Sequence, residues 1–223
     1  MSYSRFALYY VFPDGALAEF GSAWLGWDIA QGRQANQFDL AGLPDATTAP
    51  RKYGFHGTLK PPFRLVNGCT AQDLQAAVAE LAERCPMAEC EGLQLSVLGR
   101  FLALTPLGDT AAVQRVAETC VRDLDHFRAP ATEHEIARRM KAGLSERQRS
   151  QLLQWGYPYV MEDFRFHITL TARLPKKEIA TWVEAVEHHL PKLPAPFTLS
   201  EIALCGERED GRFEVIQRYA LGG

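Results

Sequence analysis

Tyr53-Gly54-Phe55-His56-Gly57-Thr58-Leu59 and Phe164-Arg165-Phe166-His167-Ile168-Thr169-Leu170 both read aromatic-x-Phe-His-x-Thr-Leu, and their agreement decides the fold. Only 6 histidines occur in the chain, so a His-x-Thr-Leu string written twice marks an internal duplication. The similarity runs outward from the motifs. Each is followed by an amphipathic helix with apolar residues at i, i+3, i+4, i+7 and i+11: Leu74, Ala77, Val78, Leu81 and Cys85, then Ile179, Trp182, Val183, Val186 and Leu190. Thr70 caps the first of these helices and Pro175 opens the second. Strand-like runs follow at 93–98 and 197–205, each leading to Gly-Arg-Phe (99–101 and 211–213) and a further apolar strand, 101–107 and 213–221. Residues 6–14 echo 101–109, each a strand entering a helix, at about 15–27 and 110–127.

The chain is therefore a duplicated strand-helix-strand-helix-strand unit. Strands that succeed each other closely around Gly99-Arg100 and Asp210-Gly211 demand antiparallel pairing. The expected class is α+β: a single bilobal domain over residues 1–223, with two mostly antiparallel sheets facing a central cleft and helices on the outer faces. The second copy has a longer stretch before its motif, read as a basic helical insertion at about 128–155. There Arg128, Arg138, Arg139, Lys141, Arg147 and Arg149 face only Glu133, Glu135 and Glu146, in a chain of net charge −3. Two short helices are expected in it, the second opening with the capping box Ser145-x-x-Gln148.

With 223 residues, 47% apolar and 23% charged, the composition excludes disordered, collagen-like and coiled-coil classes. The slight acidity gives no global field to draw the protein onto long nucleic acid or an anionic membrane. No apolar run near the N-terminus reaches the roughly 18 residues that span a bilayer, and no signal segment precedes it. Five cysteines without a Cys-x-x-Cys pair read as reduced interior thiols, which makes the cytoplasm the expected location.

Strand alternation says what lines the cleft. His56 and Thr58 share one face, as do His167 and Thr169, while Phe55, Leu59, Phe166 and Leu170 point to the opposite, apolar side. Two facing imidazoles suit phosphodiester chemistry, one neutral to take a proton and one charged to give it, with two threonine hydroxyls to hold the phosphoryl oxygens. No cofactor is called for. A metal wants third and fourth ligands, and no His-x-x-x-His, Cys-x-x-Cys or acidic set accompanies the pairs, so none is expected. The same parity nominates Lys60 and Arg165 as phosphate contacts. Arg138 or Arg139, closing as a lid with Tyr157, would cover an anionic substrate. Aligning 6–14 with 101–109 pairs Tyr10 with Thr105 and turns Tyr10 to the cleft.

These paired His-x-Thr motifs in a duplicated α+β unit resemble the 2H phosphoesterase superfamily. More narrowly, residues 53–63, together with Trp155-Gly156-Tyr157-Pro158-Tyr159-Val160 running into 164–171, are similar to its branch of phosphonate-metabolism proteins encoded near carbon–phosphorus lyase genes. The resemblance implies metal-independent cyclic phosphodiesterase or 2′,5′-phosphodiester chemistry, with His56, Thr58, His167 and Thr169 carried over. It also implies a small phosphorylated substrate, a ribose cyclic phosphate bearing a further phosphate. Gly57 departs from the branch, where alanine is usual, and no chemical consequence is expected because it points away from the cleft. Two other readings remain: an RNA-end 2′,3′-cyclic phosphodiesterase, which needs a long basic track, and a non-catalytic phosphosugar-binding accessory protein.

Overall fold

The computed structural model describes residues 3–222. β1 (Phe6–Val11) and α1 (Ala16–Leu25) open the chain, followed by a small ribbon of β2 (Trp27–Asp28) and β3 (Arg33–Gln34) and by the short helices α2 (Leu43–Ala46) and α3 (Thr48–Arg51). The first motif forms β4 (His56–Phe63), succeeded by α4 (Ala71–Arg84), β5 (Ala88–Cys90), β6 (Gly92–Leu98), β7 (Phe101–Leu107) and α5 (Ala111–Asp123). The basic stretch forms α6 (Glu133–Met140) and α7 (Glu146–Trp155), and the second motif contributes β8 (Ile168–Thr169). The chain ends in α8 (Ile179–His189), β9 (Phe197–Leu199), β10 (Glu201–Glu207) and β11 (Phe213–Ala220). The capping boxes act as read: Thr70 and Ser145 accept from the amides of Asp73 and Gln148 at the starts of α4 and α7.

The α+β class and the antiparallel pairing stand as expected, with one difference of assembly. The two halves are joined in one seven-stranded sheet, ordered β11-β10-β1-β4-β8-β7-β6, through a single antiparallel pair, Gly57 with Ile168. The physical reason lies in the backbone: β4 and β8 would otherwise end as unpaired inner edges with unsatisfied amides. The arrangement is pseudo-symmetric about that pair, because β8-β7-β6 repeats β4-β1-β10. Each repeat lends its last strand to the other's half: β6 pairs with β7, and β10 with β1.

One face of the sheet is buried under α1, α4, α5 and α8. Phe55, Leu59, Phe166, Ile168 and Leu170 join Trp24, Leu74, Val113 and Val186 in that core, as the alternation requires. The opposite face carries a smaller cluster of Ala7, Tyr9, Val11, Trp27, Ile29 and Phe213. Cys69 is half-buried and the other four cysteines are buried, all as free thiols.

Two expectations fail here, each by one residue of register. Tyr10 lies in the helix-side core, edge-on to Phe12 and Phe197 at 5.0 and 5.2 Å. Its cross-strand partner is Gly57, just as Leu104 is the partner of Ile168, so the true structural equivalent of Tyr10 is Leu104 and the echo read from the sequence is one residue out of step. Lys60 fails for a different reason. Tyr9 pairs with Thr58 but Leu8 pairs with Lys60, a bulge that places Leu59 and Lys60 on the same side. Lys60 is 2% exposed, donating from Nζ to the Val121 carbonyl of α5 at 3.0 Å, with Asp125 at 3.7 Å. It ties β4 to the helices and is no phosphate contact.

Gly57 permits the approach of β4 to β8. A Cβ built there collides with the ring of Phe166. Gly57→Ala is expected to lower unfolding stability by about 1–3 kcal/mol, the usual cost of overpacking, and Phe166→Leu in the same chain to restore part of it. Urea denaturation of the single and double variants checks this.

Candidate active site

The Gly57–Ile168 pair fixes the geometry of the four motif residues. Antiparallel register about it sets His56 across from Thr169 and Thr58 across from His167, all on the face away from the helices. The two histidines occupy one diagonal of that square, where cross-strand neighbours stand about 7–8 Å apart, with room for a tetrahedral group between them.

Each imidazole is oriented by its own chain two residues upstream. His56 Nδ1 donates to the Gly54 carbonyl at 2.9 Å, and His167 Nδ1 to the Arg165 carbonyl at 2.8 Å. A carbonyl only accepts, so both rings carry the proton on Nδ1 when neutral and keep Nε2 as an acceptor. Gly54, at φ +71, supplies the left-handed turn that brings its carbonyl round to the ring. His56 Nε2 also lies 3.0 Å from Thr58 Oγ1. Burial pushes the His56 imidazole down to about 4, against the Gly54 bond, which raises it; the neighbouring His167 lowers it further.

A cavity of about 680 Å³ opens over His56, Thr58 and Thr169. A smaller one of about 250 Å³ shares Thr58, Pro61 and Tyr157 with it and is lined on its far side by Tyr159, Arg165 and His167. The larger cavity is ringed by Arg5, Lys52, Arg138, Arg139 and Arg173, with no carboxylate in its lining. Arg5 is bound by Glu207, with Nε at 2.6 Å from Oε2. Among the described residues the other four have no carboxylate partner.

Arg138 and Arg139 thus reach the cavity as expected, and Arg139 lies over the Tyr157 ring at 4.6 Å. Their helix is anchored: Arg64, after β4, holds Glu135 through two bonds of 2.8 and 3.0 Å, and the same carboxylate caps α6 at Thr132. Arg165 is exposed, its guanidinium on the carbonyls of Glu162 and Phe164, at the rim beside His167. Sequence reasoning missed Arg5, Lys52 and Arg173, and preferred Tyr10 to Tyr9. Arg173 was within reach, because the alternation that gave His167 and Thr169 continues through Thr171 to 173. Tyr9 takes the place expected of Tyr10: fully buried, it stacks on His56 with centroids 3.8 Å apart, and its hydroxyl has no partner among the described residues.

A duplicated antiparallel sheet that offers one His-x-Thr pair from each half on a common face is the 2H phosphoesterase arrangement that the motifs resemble. The chain belongs to the family described as "Protein of unknown function (DUF1045)", whose model matches residues 58–214. It is 36% identical over 218 residues to the ribose 1,5-bisphosphate phosphokinase PhnN of Janthinobacterium sp. (strain Marseille), covering 94% of this chain and 48% of that protein. With the protein of the same name from Laribacter hongkongensis (strain HLHK9) it shares 33% over 190 residues, 83% of this chain and 44% of the relative. The chain spans about half the length of the curated relatives it matches. Among solved structures, E. coli LigT complexed with NADP+ aligns over 100% of both chains at 16% identity and TM-score 0.47. A protein of Thermus thermophilus aligns over 98% of both, also at 16% and 0.47. No helix among the described residues is long and apolar enough to cross a membrane.

The half-buried His56 links stability to pH. Between the unfolded value of 6.5 and the folded value of about 4, the unfolded chain binds a proton that the folded one does not, so stability falls as pH drops through that window. Thermal melts at pH 7.5 and 5 are expected to show a smaller loss for His56→Gln than for the parent chain.

Proposed function

We propose that the protein is a metal-independent phosphodiesterase that opens a small cyclic phosphate ester by two-histidine acid–base catalysis. The observation that carries the reading is the square of His56, Thr58, His167 and Thr169 about one strand pair, with Nδ1 of each imidazole bound to a carbonyl of its own chain, which leaves Nε2 of each as the atom that takes or gives a proton. One imidazole takes a proton from water as the water oxygen bonds to phosphorus. The ester P–O bond breaks, and the departing sugar oxygen takes a proton from the other imidazole. The product is a phosphomonoester, and exchange with solvent returns the two protons. Thr58 and Thr169 hydroxyls hold the non-bridging oxygens, where charge is carried through in-line displacement.

The substrate carries a second phosphate. Lys52, Arg138, Arg139 and Arg173 give the cavity more positive charge than a singly charged cyclic diester balances, in a chain of net charge −3. The relatives' printed name, ribose 1,5-bisphosphate phosphokinase, speaks for a phosphorylated ribose in the same setting. The present sequence contains no Gly-x-x-x-x-Gly-Lys-[Ser/Thr] phosphate loop, which favours a phosphoester step over the kinase step for this half. The RNA-end reading lacks support in a cavity bounded by Arg138 and Tyr157. A pure binding module has no use for two oriented imidazoles. The protein acts in the cytoplasm as part of phosphonate breakdown, on a small substrate, with neither long nucleic acid nor membrane as partner.

Phosphorus NMR of a panel of cyclic ribose phosphates with and without a 5-phosphate, and of 2′,3′-cyclic nucleotides, separates the three readings. The 5-phosphorylated cyclic ester is expected to yield a new phosphomonoester signal. His56→Ala or His167→Ala should lower turnover by about 10² to 10⁴, and full activity of either variant in the presence of a chelator overturns the scheme. Arg138→Glu with Arg173→Glu should raise KM at least tenfold for the 5-phosphorylated ester, roughly the worth of one charge-assisted hydrogen bond, and change it little for the ester without that phosphate.

A further inference from the structure

We infer that Tyr9 is the positioning residue that makes the two catalytic histidines inequivalent, committing His56 to accept the proton from water and leaving His167 to donate one to the departing oxygen. The inference rests on the two-histidine reading and goes beyond it, because a duplicated His-x-Thr motif is symmetric and assigns neither role.

The asymmetry comes from the neighbouring strands. Tyr9 on β1 is the cross-strand partner of Thr58, and Ala103 on β7 is the partner of Thr169. The two positions are equivalent, so the one that carries a phenol ring beside the first histidine carries a methyl group beside the second. His56 has a face covered by Tyr9 at 3.8 Å and 29°. Among the described residues His167 has no ring stacked on it; its neighbour Phe101 is tilted 55° at 5.9 Å.

A ring lying flat on an imidazole acts in two opposed ways. Its π-face attracts the imidazolium, by about 0.5–2 kcal/mol, while its bulk strips water from one whole side of the charged form. Here Tyr9 is fully buried, wedged between His56 and Phe213, whose centroid is 5.9 Å away, so water cannot reach His56 from that side and desolvation prevails.

The remaining surroundings do not reverse this. The Gly54 carbonyl accepts from Nδ1, Thr58 Oγ1 sits on Nε2, Tyr53 is tilted 6.1 Å away and His167 is a like charge when protonated. Behind Tyr9 lie the Cys205 thiol, Arg5 and Glu207. Glu207 is committed to Arg5 and Ser4, and Lys52 packs over Tyr53 at 4.6 Å. His56 is therefore held neutral, its Nε2 accepting from the Thr58 hydroxyl until that hydroxyl turns to a phosphoryl oxygen and leaves Nε2 to take a proton.

The test titrates His56 by the NMR signal of its ring Cε1–Hε1 in the unliganded protein. In the parent chain His56 stays unprotonated down to about 4. Tyr9→Phe keeps the stacked ring and should keep that titration. Tyr9→Ala, which installs the residue of the second repeat, and Tyr9→Val, a strand former well short of the ring's reach should the alanine variant fold poorly, should each raise it by about one unit or more toward the ordinary value. The acidic limb of kcat/KM on whichever panel ester is hydrolysed should move up with it. Titrations unmoved in both Tyr9→Ala and Tyr9→Val, or moved as far by Tyr9→Phe, overturn the inference. Full activity of His56→Gln would instead sink the two-histidine reading, whatever the titrations show.

Discussion

Everything at the cleft hangs on one backbone pairing, that of Gly57 with Ile168. These are the middle residues of the two His-x-Thr strings, so the bond that closes the sheet also sets the spacing of the four polar side chains on either side of it. A slip of one residue in either strand would turn its histidine into the helix-side core and its flanking phenylalanine into water. The pairing depends on the missing side chain at Gly57 and on the Phe166 ring that fills the space. A core contact on one face thereby governs the spacing of the four polar side chains on the other.

Around that square the charge is arranged unevenly. Cations that hold the scaffold together have partners: Arg64 with Glu135, Arg128 with Asp125, Arg147 with Asp163. Cations that ring the cavity, Arg5 apart, have none among the described residues. Leaving several arginines unpaired beside one another is unfavourable for an empty protein and is relieved by an anion, which is the signature of a binding surface. The anchoring of α6 through Glu135, whose carboxylate Arg64 and the Thr132 amide hold at about 2, means that Arg138 and Arg139 are presented by a pinned helix.

The sequence made the motif repeat, the α+β class, the four principal helices and the basic helical stretch legible, because each rests on periodicity or capping chemistry local to a few residues. It left Lys60 and Tyr10 on the wrong side. Strand parity holds only while pairing is regular, and the extra residue at Leu59 in the β4–β1 pairing leaves no mark in composition. The echo between 6–14 and 101–109 is real but one residue out of step, since the shared phenylalanines Phe6 and Phe101 suggest a register that the strand pairing does not follow. Arg5, Lys52 and Tyr9 escape a sequence reading because they meet the motif through β1 and the turn before β4, contacts that only the sheet order reveals.

The strand exchange between repeats bears on ancestry. Because β6 completes the half built on β7 and β8, and β10 completes the half built on β1 and β4, the two copies are interlocked, and neither holds all the strands of one half. Carried in one chain, the two copies are free to diverge, and Tyr9 standing where the second copy has Ala103 is a difference that two identical subunits could not encode.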